Sequence, residues 1–216
     1  MPDLLIPLLL WGMAAGLDLV SFPQGLLNRP LVAAGVAGLL MGDPALGLAI
    51  GMVLELFALD VLPIGASRYP DYGPAAVVAV ASASGLETLG PAVIVGLLVA
   101  QLGGVGMELV RRRNGQLATR HALALDAGDA GTIAHLQRAG LTADLLRAAV
   151  VTGLGLVAGP VVAEAMRPAA GSLGLVVVAG GLAAALHGVV RRAGAGIGLR
   201  WAALGLLLGG AVAWLR

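Results

Sequence analysis

Apolar stretches separated by short polar breaks run along most of this chain, and their lengths define the expected elements. The amino-terminal stretch MPDLLIPLLLWGMAAGLDLV reads as a first membrane helix. Asp3 stands where a secretory signal would carry basic residues, and no A-x-A-like site follows, so a cleaved signal peptide is not expected. From Pro30 the apolar runs shorten: Leu31 to Gly42 and Ala45 to Leu59 are divided by Asp43 and Pro44. Each falls short of the roughly 20 residues of a straight span. Interrupted segments of this kind predict broken or re-entrant helices, whose irregular backbone survives at membrane depth only when buried in protein or lining a wet cavity. After the polar stretch Pro63 to Gly73 come Pro74 to Ser84 and then Gly90 to Val110, which is long enough to cross. Leu145 to Met166, Leu173 to Val190 and Leu199 to Leu215 complete the pattern. The prediction is an all-α integral membrane protein with about six membrane segments, some of them broken or re-entrant.

One stretch departs from this pattern. Residues 111–147 hold six Arg and three Asp with only short apolar groups. Short Arg-rich connections stay cytoplasmic, which places this stretch inside, as partly amphipathic helix at the membrane surface. The chain then divides into an N-terminal membrane region (1–110), a cytoplasmic Arg-rich loop (111–145) and C-terminal membrane helices (146–216). Gly-x-x-x-Gly pairs at Gly12/Gly16, Gly38/Gly42, Gly47/Gly51, Gly155/Gly159 and Gly205/Gly209 mark candidate close helix contacts, although a chain with 34 glycines produces some such pairs by chance.

Composition supports the same class. With 59% hydrophobic and 12% charged residues, the chain lacks the polar surface of a soluble enzyme, a nucleic-acid binder or a disordered tail. Its net charge of +1 conceals an asymmetry: all 13 basic residues are Arg, and only Arg29 and Arg68 precede residue 111. The absence of cysteine removes thiolate catalysis and thiolate metal sites, and three scattered histidines argue against a zinc enzyme. No cofactor or metal is expected.

Outside the Arg-rich stretch the ionisable residues cluster. Asp18, Arg29, Asp43, Glu55, Asp60, Arg68 and Asp71 share one quarter of the chain. An unpaired charge at membrane depth costs about 2.5–3.5 kcal/mol on insertion scales, so these groups pair, face water or sit at an interface. Glu55 is the sharpest case, set in the apolar run MVLELFAL. Two structural roles compete for it: a protonated, packed carboxyl, or an ion pair with Arg29 that orders the bundle. The functional alternative is a polar ligand, and a sugar suits the residue types. A carboxylate accepts from neighbouring hydroxyls, and amides such as Gln24 and Asn28 both donate and accept. Phe22, Phe57, Tyr69 and Tyr72 lie in the same quarter; an aromatic face covers the apolar side of a pyranose, while Tyr69 and Tyr72 also suit anchoring at the membrane interface.

The run Phe22-Pro23-Gln24-Gly25 through Asn28-Arg29-Pro30-Leu31-Val32-Ala33, then Gly38-x-x-x-Gly42-Asp43, Gly47-x-x-Ile50-Gly51-x-x-Leu54-Glu55-Leu56-x-Ala58-Leu59, Pro63-x-Gly65-Ala66 and Pro70-Asp71, resembles the IIC component of the mannose/fructose/sorbose family of bacterial sugar phosphotransferase systems. Order, spacing and residue identity agree over about residues 17–76, with a weaker match through Glu87, Gln101, the Arg-rich loop and the helix after Arg147. The resemblance implies a multi-pass sugar permease subunit of the bacterial inner membrane that binds a hexose outside and, with a IID membrane partner, delivers it to cytosolic IIB for phosphorylation. It also implies a hetero-oligomer with trimeric packing; composition has already argued against a nucleic-acid partner. The phosphoryl-bearing histidines belong to IIA and IIB, so His121, His135 and His187 are not cast as phosphohistidines and this chain has no catalytic residue of its own. The family's sugar-contacting region maps onto Gln24 and Glu55, with Asn28, Arg29 and Asp71 shaping the site. Asp43 suits either a helix cap or a ligand contact. Asp60, Arg68 and Tyr69 depart from the family pattern, and an Asp60/Arg68 pair would close one gate or alter the ligand.

The leading expectation is therefore a permease whose broken helices between Pro30 and Asp71 form part of a mobile core. The alternative is a non-transporting anchor or sensor derived from IIC that recruits phosphotransfer proteins through its Arg-rich loop. A passive polar-solute channel is a third reading.

Overall fold

The structure, a computed structural model, describes residues 2–21, 23–59, 61, 68–193 and 200. Phe22, Asp60, the stretch 62–67, the last expected span from Leu199 to Leu215 and the Gly205/Gly209 pair lie outside the described residues, Arg200 excepted. Among the described residues all regular structure is helical. Three helical stretches of the described residues are long and apolar enough to cross a membrane: Leu86–Arg120, Ala130–Ala165 and Arg167–His187.

The chain enters through α1 (Pro2–Asp18). Then follow two short helices, α2 (Pro30–Met41) and α3 (Pro44–Ala58), each opened by a proline whose missing N–H costs nothing at the first helical position. Gly42 ends α2 at φ +78°, a left-handed conformation that glycine adopts without penalty. Asp43 then accepts from the Leu46 N–H at 2.9 Å and so caps α3. Across the hairpin Gly38 and Gly47 meet so closely that a Cβ on Gly38 would stand 2.8 Å from the Gly47 Cα. At 12 and 15 residues both helices are too short to cross as straight spans, and they pair as a broken helical hairpin where the apolar pattern is interrupted.

The centre of the bundle is α4 (Tyr72–Ser82), all eleven of whose residues are buried. It packs among α1, α2, α3, α5 (Leu89–Arg120) and α7 (Ala130–Ala165). Val78 and Ser82 of α4 lie against Gly155 and Gly159 of α7, and Gly12 and Gly16 of α1 admit Thr152 and Ala148 of the same helix. With no side chain at these positions the backbones approach closely, which is how small residues hold membrane helices together. Helix α8 (Ala170–Ala193) covers α3 and α5, its Gly180 and Gly181 receiving the Phe57 ring. His187 is exposed near its end.

The Arg-rich stretch is built from the tips of two long helices. α5 continues ten residues beyond the apolar run that predicts it, and α7 begins fifteen residues before its own. Between them lie the five-residue α6 (Ala122–Asp126) and a turn at Gly128. Asp129 caps α7, accepting from Thr132 N–H at 2.8 Å, and these hydrogen bonds hold its carboxyl below the usual range. Hydropathy marks where the oily part of a helix stops, whereas Ala, Leu, Gln and Arg propagate the helix into water.

Candidate functional site

The irregular connection from α1 to α2 is folded by Asp18, the last residue of α1. Its buried carboxylate accepts from the backbone N–H groups of Gly25 at 2.6 Å and Asn28 at 3.0 Å. Gln24 sits on this loop at φ +58°, its Nε2 donating to the Val20 carbonyl at 2.9 Å. The loop, the start of α2, the end of α3 and the segment before α4 enclose a cavity of about 540 Å³. Its polar lining comprises Asp18, Gln24, Asn28, Arg29, Tyr69, Tyr72 and Arg111. Both tyrosines are buried, at 5% and 7% exposure, which places them inside the bundle rather than at a lipid interface. The Arg111 guanidinium lies 5.0 Å from the centre of the Tyr69 ring, a cation–π contact that fixes the ring's face.

Of the five residues singled out as sugar-site candidates, Gln24, Asn28 and Arg29 line this cavity; Glu55 and Asp71 stand behind them. Glu55 reaches from α3 to the amino end of α2, where it pairs with Arg29 and accepts from the Leu31 N–H at 3.2 Å. Its negative charge sits where the helix leaves N–H groups free, and it holds the Arg29 side chain at the cavity wall. The ion pair with Arg29 is thus formed, and the Glu55 carboxylate has both oxygens engaged.

Asp71 is fully buried and organises the opposite wall. One oxygen accepts from Asn28 Nδ2 at 2.9 Å, and the other pairs with Arg147 of α7. Asn28 Nδ2 also donates to the Ala15 carbonyl at 3.0 Å. Both neighbours accept only, so the amide nitrogen must face them, and Asn28 Oδ1 remains for the cavity as an acceptor. Arg147 is itself 7% exposed; its Nε donates to Asp144 at 2.7 Å and its Nη2 to the Gly16 carbonyl at 3.0 Å. Ser21 donates to the second oxygen of Asp144. A single guanidinium therefore ties α1, α4 and α7 together directly behind the cavity.

Sequence reasoning assigned Arg147 to the basic stretch and missed its burial. The available signal was its position inside the apolar run that opens at Leu145, where an Arg requires a buried partner. Arg68 pairs with Glu108 at 3.4 Å, and Glu108 also holds Arg112. Among the described residues no group of three or more His, Cys, Asp or Glu is arranged to hold a metal ion. A carboxylate, two amides, two phenols and two guanidinium groups thus line the cavity, which gives it both hydrogen-bond donors and acceptors.

The family described as the sorbose-specific IIC component of the phosphotransferase system matches residues 4–207 of this sequence. The chain belongs to that family. Among curated IIC relatives, the sorbose-specific component of Lacticaseibacillus casei is 32% identical over 108 residues, 50% of this chain and 39% of that protein. The mannose-specific component of Escherichia coli K12 is 30% identical over 142 residues, 64% of this chain and 51% of that protein. The fructose permease IIC component of Bacillus subtilis is 39% identical over 75 residues, 35% of this chain and 26% of that protein. The chain thus spans about half or less of the length of these IIC relatives. A solved complex of the mannose transporter ManYZ with microcin E492 contains a chain that superposes with a TM-score of 0.60 at 21% identity, covering 97% of this chain and 87% of that one. A second solved membrane protein superposes with a TM-score of 0.67, also at 21% identity. These likenesses establish the fold of this IIC chain as that of a multi-pass membrane protein.

Proposed function

We propose that this chain is the sugar permease subunit of a mannose-family phosphotransferase system in a bacterial inner membrane. On this reading it passes a hexose, together with a IID membrane subunit, to cytosolic IIB, which is recharged by IIA. The observation that carries the reading is the polar cavity at the α1–α2 break, inside a largely apolar bundle of IIC family membership. Its volume falls within the roughly 300–1,000 Å³ of small-ligand sites. Gln24, Asn28 Oδ1 and Arg29 offer hydroxyl partners of both polarities, and the Tyr69 and Tyr72 rings supply apolar cover for a pyranose. Glu55 and Asp71 act one step back: Glu55 aims Arg29, and Asp71 aims Asn28. Phosphorylation on the partner subunits traps the sugar, so translocation requires no ion gradient.

Uptake of labelled hexose into vesicles holding this chain with its IID and IIB partners tests the reading. Partner-dependent uptake with phosphorylated product supports it. No uptake despite intact IIB docking would assign the chain to the anchor class, and uptake of unphosphorylated sugar without partners would make it a passive channel.

A further inference from the structure

A second recess, of about 830 Å³, opens between α5 and α7. Its wall is apolar, with Leu109, Leu146 and Val150 exposed at 62%, 60% and 57%. At its upper end stand Arg113 of α5 and Arg138 of α7. Arg113 donates to the Ala139 carbonyl at 3.4 Å, which sets its guanidinium beside the residue that follows Arg138. Arg138 donates its Nε to the Ala134 carbonyl of its own helix at 3.1 Å, which leaves the terminal nitrogens for another partner. Among the described residues neither arginine pairs with a carboxylate. Below them the wall continues into the outer face of the α7 span, where Leu154, Val157 and Val161 are 67–73% exposed.

We propose that this recess binds an anionic phospholipid, with the phosphate between Arg113 and Arg138 and the acyl chains along Leu109, Leu146 and Val150. Two cations without internal counterions lie about one to three helical turns above a wall that calls for an apolar cover. An occupant must therefore carry negative charge at one end and apolar length at the other. Basic recesses between membrane helices on the cytoplasmic side have this selectivity. Continuity with the long exposed apolar face of the α7 span, which is sized to cross a bilayer, favours a lipid over a protein neighbour.

The full chain, reconstituted in vesicles of equal phosphatidylglycerol and phosphatidylcholine and extracted in mild detergent, should retain phosphatidylglycerol preferentially by native mass spectrometry. The double variant Arg113→Gln/Arg138→Gln should lose on the order of tenfold of that preference, whereas Arg120→Gln, at the same end but off the recess, should not. Phosphatidylglycerol bearing a photoreactive acyl chain should crosslink to residues 109–113 and 138–150 of the unmodified protein, a readout independent of how the variants fold. Equal retention of both lipids, an unchanged double variant, displacement by millimolar inorganic phosphate, or crosslinks from Val150→benzoylphenylalanine to a protein chain in place of lipid would each overturn the assignment.

Discussion

At the scale of single residues, the carboxylates differ in the kind of constraint they impose. Glu55 is a partly exposed partner of a half-exposed arginine, and pairs of that sort contribute at most about 1 kcal/mol to stability. Its effect falls on where Arg29 points. Glu55→Gln should therefore leave the melting temperature of the purified protein nearly unchanged while weakening hexose binding about 10- to 100-fold, the value of one misplaced hydrogen bond to a charged group. Equilibrium binding to the reconstituted transporter measures this, and wild-type affinity would remove Glu55 from any role at the site. Arg147 is the opposite case. Replacing it by Met strands Asp71 and Asp144 in the interior, at a cost of about 3–5 kcal/mol, so the variant should be recovered poorly as monodisperse protein. Arg147→Lys keeps the charge but cannot serve three separate acceptors, and should fall between the two. The Arg29/Glu55 pairing was legible because both lie in one cluster of charges. The Arg147/Asp71 pairing joins residues 76 positions apart and depends on α1, α4 and α7 having packed; a basic stretch read for topology treats all its arginines alike.

At the scale of elements, the breaks were legible and the helix ends were not. Pro30, Gly42, Asp43 and Pro44 act through local chemistry, each with a fixed dihedral, a left-handed turn or a side-chain cap, and the α2–α3 hairpin follows. The far ends of α5 and α7 have no such punctuation, so hydropathy alone divided continuous helices into a span and a loop. Burial of all of α4 was also hidden, since its run of Ala and Val is as compatible with facing lipid as with lying at the centre of the bundle. The hairpin's close contact gives a direct test. A Cβ on Gly47 would stand 2.5 Å from the Ala34 carbonyl oxygen and 2.8 Å from the Gly38 Cα, both backbone atoms that no rotamer change can move. Gly47→Ala should cost about 1–3 kcal/mol through this overpacking. Gly115→Ala on α5, where nothing lies within 4 Å, should be neutral or stabilising by up to about 1 kcal/mol. Paired thermal denaturation of the two variants measures the difference, and equal melting temperatures would show that the hairpin relaxes without loss.

At the scale of the whole molecule, the position of the cavity relative to the basic hairpin predicts which side of the membrane the site faces. Arg111 lines the cavity and belongs to the Arg-rich end of α5, whereas the turn between α4 and α5 lies at the other end of the same helix. The rise from Leu89 to Arg111 is about 33 Å, close to the thickness of the hydrocarbon core. If the Arg-rich tips are cytoplasmic, as the positive-inside bias predicts, the cavity in this conformation opens inward and Leu86, 59% exposed at the α4–α5 turn, faces outward. The absence of native cysteine makes this a clean labelling experiment. Val20→Cys lines the cavity with a small apolar replacement, and Leu86→Cys reports the opposite end. A membrane-impermeant thiol reagent should modify Val20→Cys in inside-out vesicles and Leu86→Cys in right-side-out vesicles, and saturating hexose should slow the first reaction without affecting the second. Labelling of both positions at comparable rates from one side would refute the assigned orientation. Protection of Leu86→Cys by hexose would move the sugar away from the α1–α2 break. On the proposed permease reading the protein also visits an outward-facing state, so Val20→Cys should react slowly from outside, at a rate set by the population of that state.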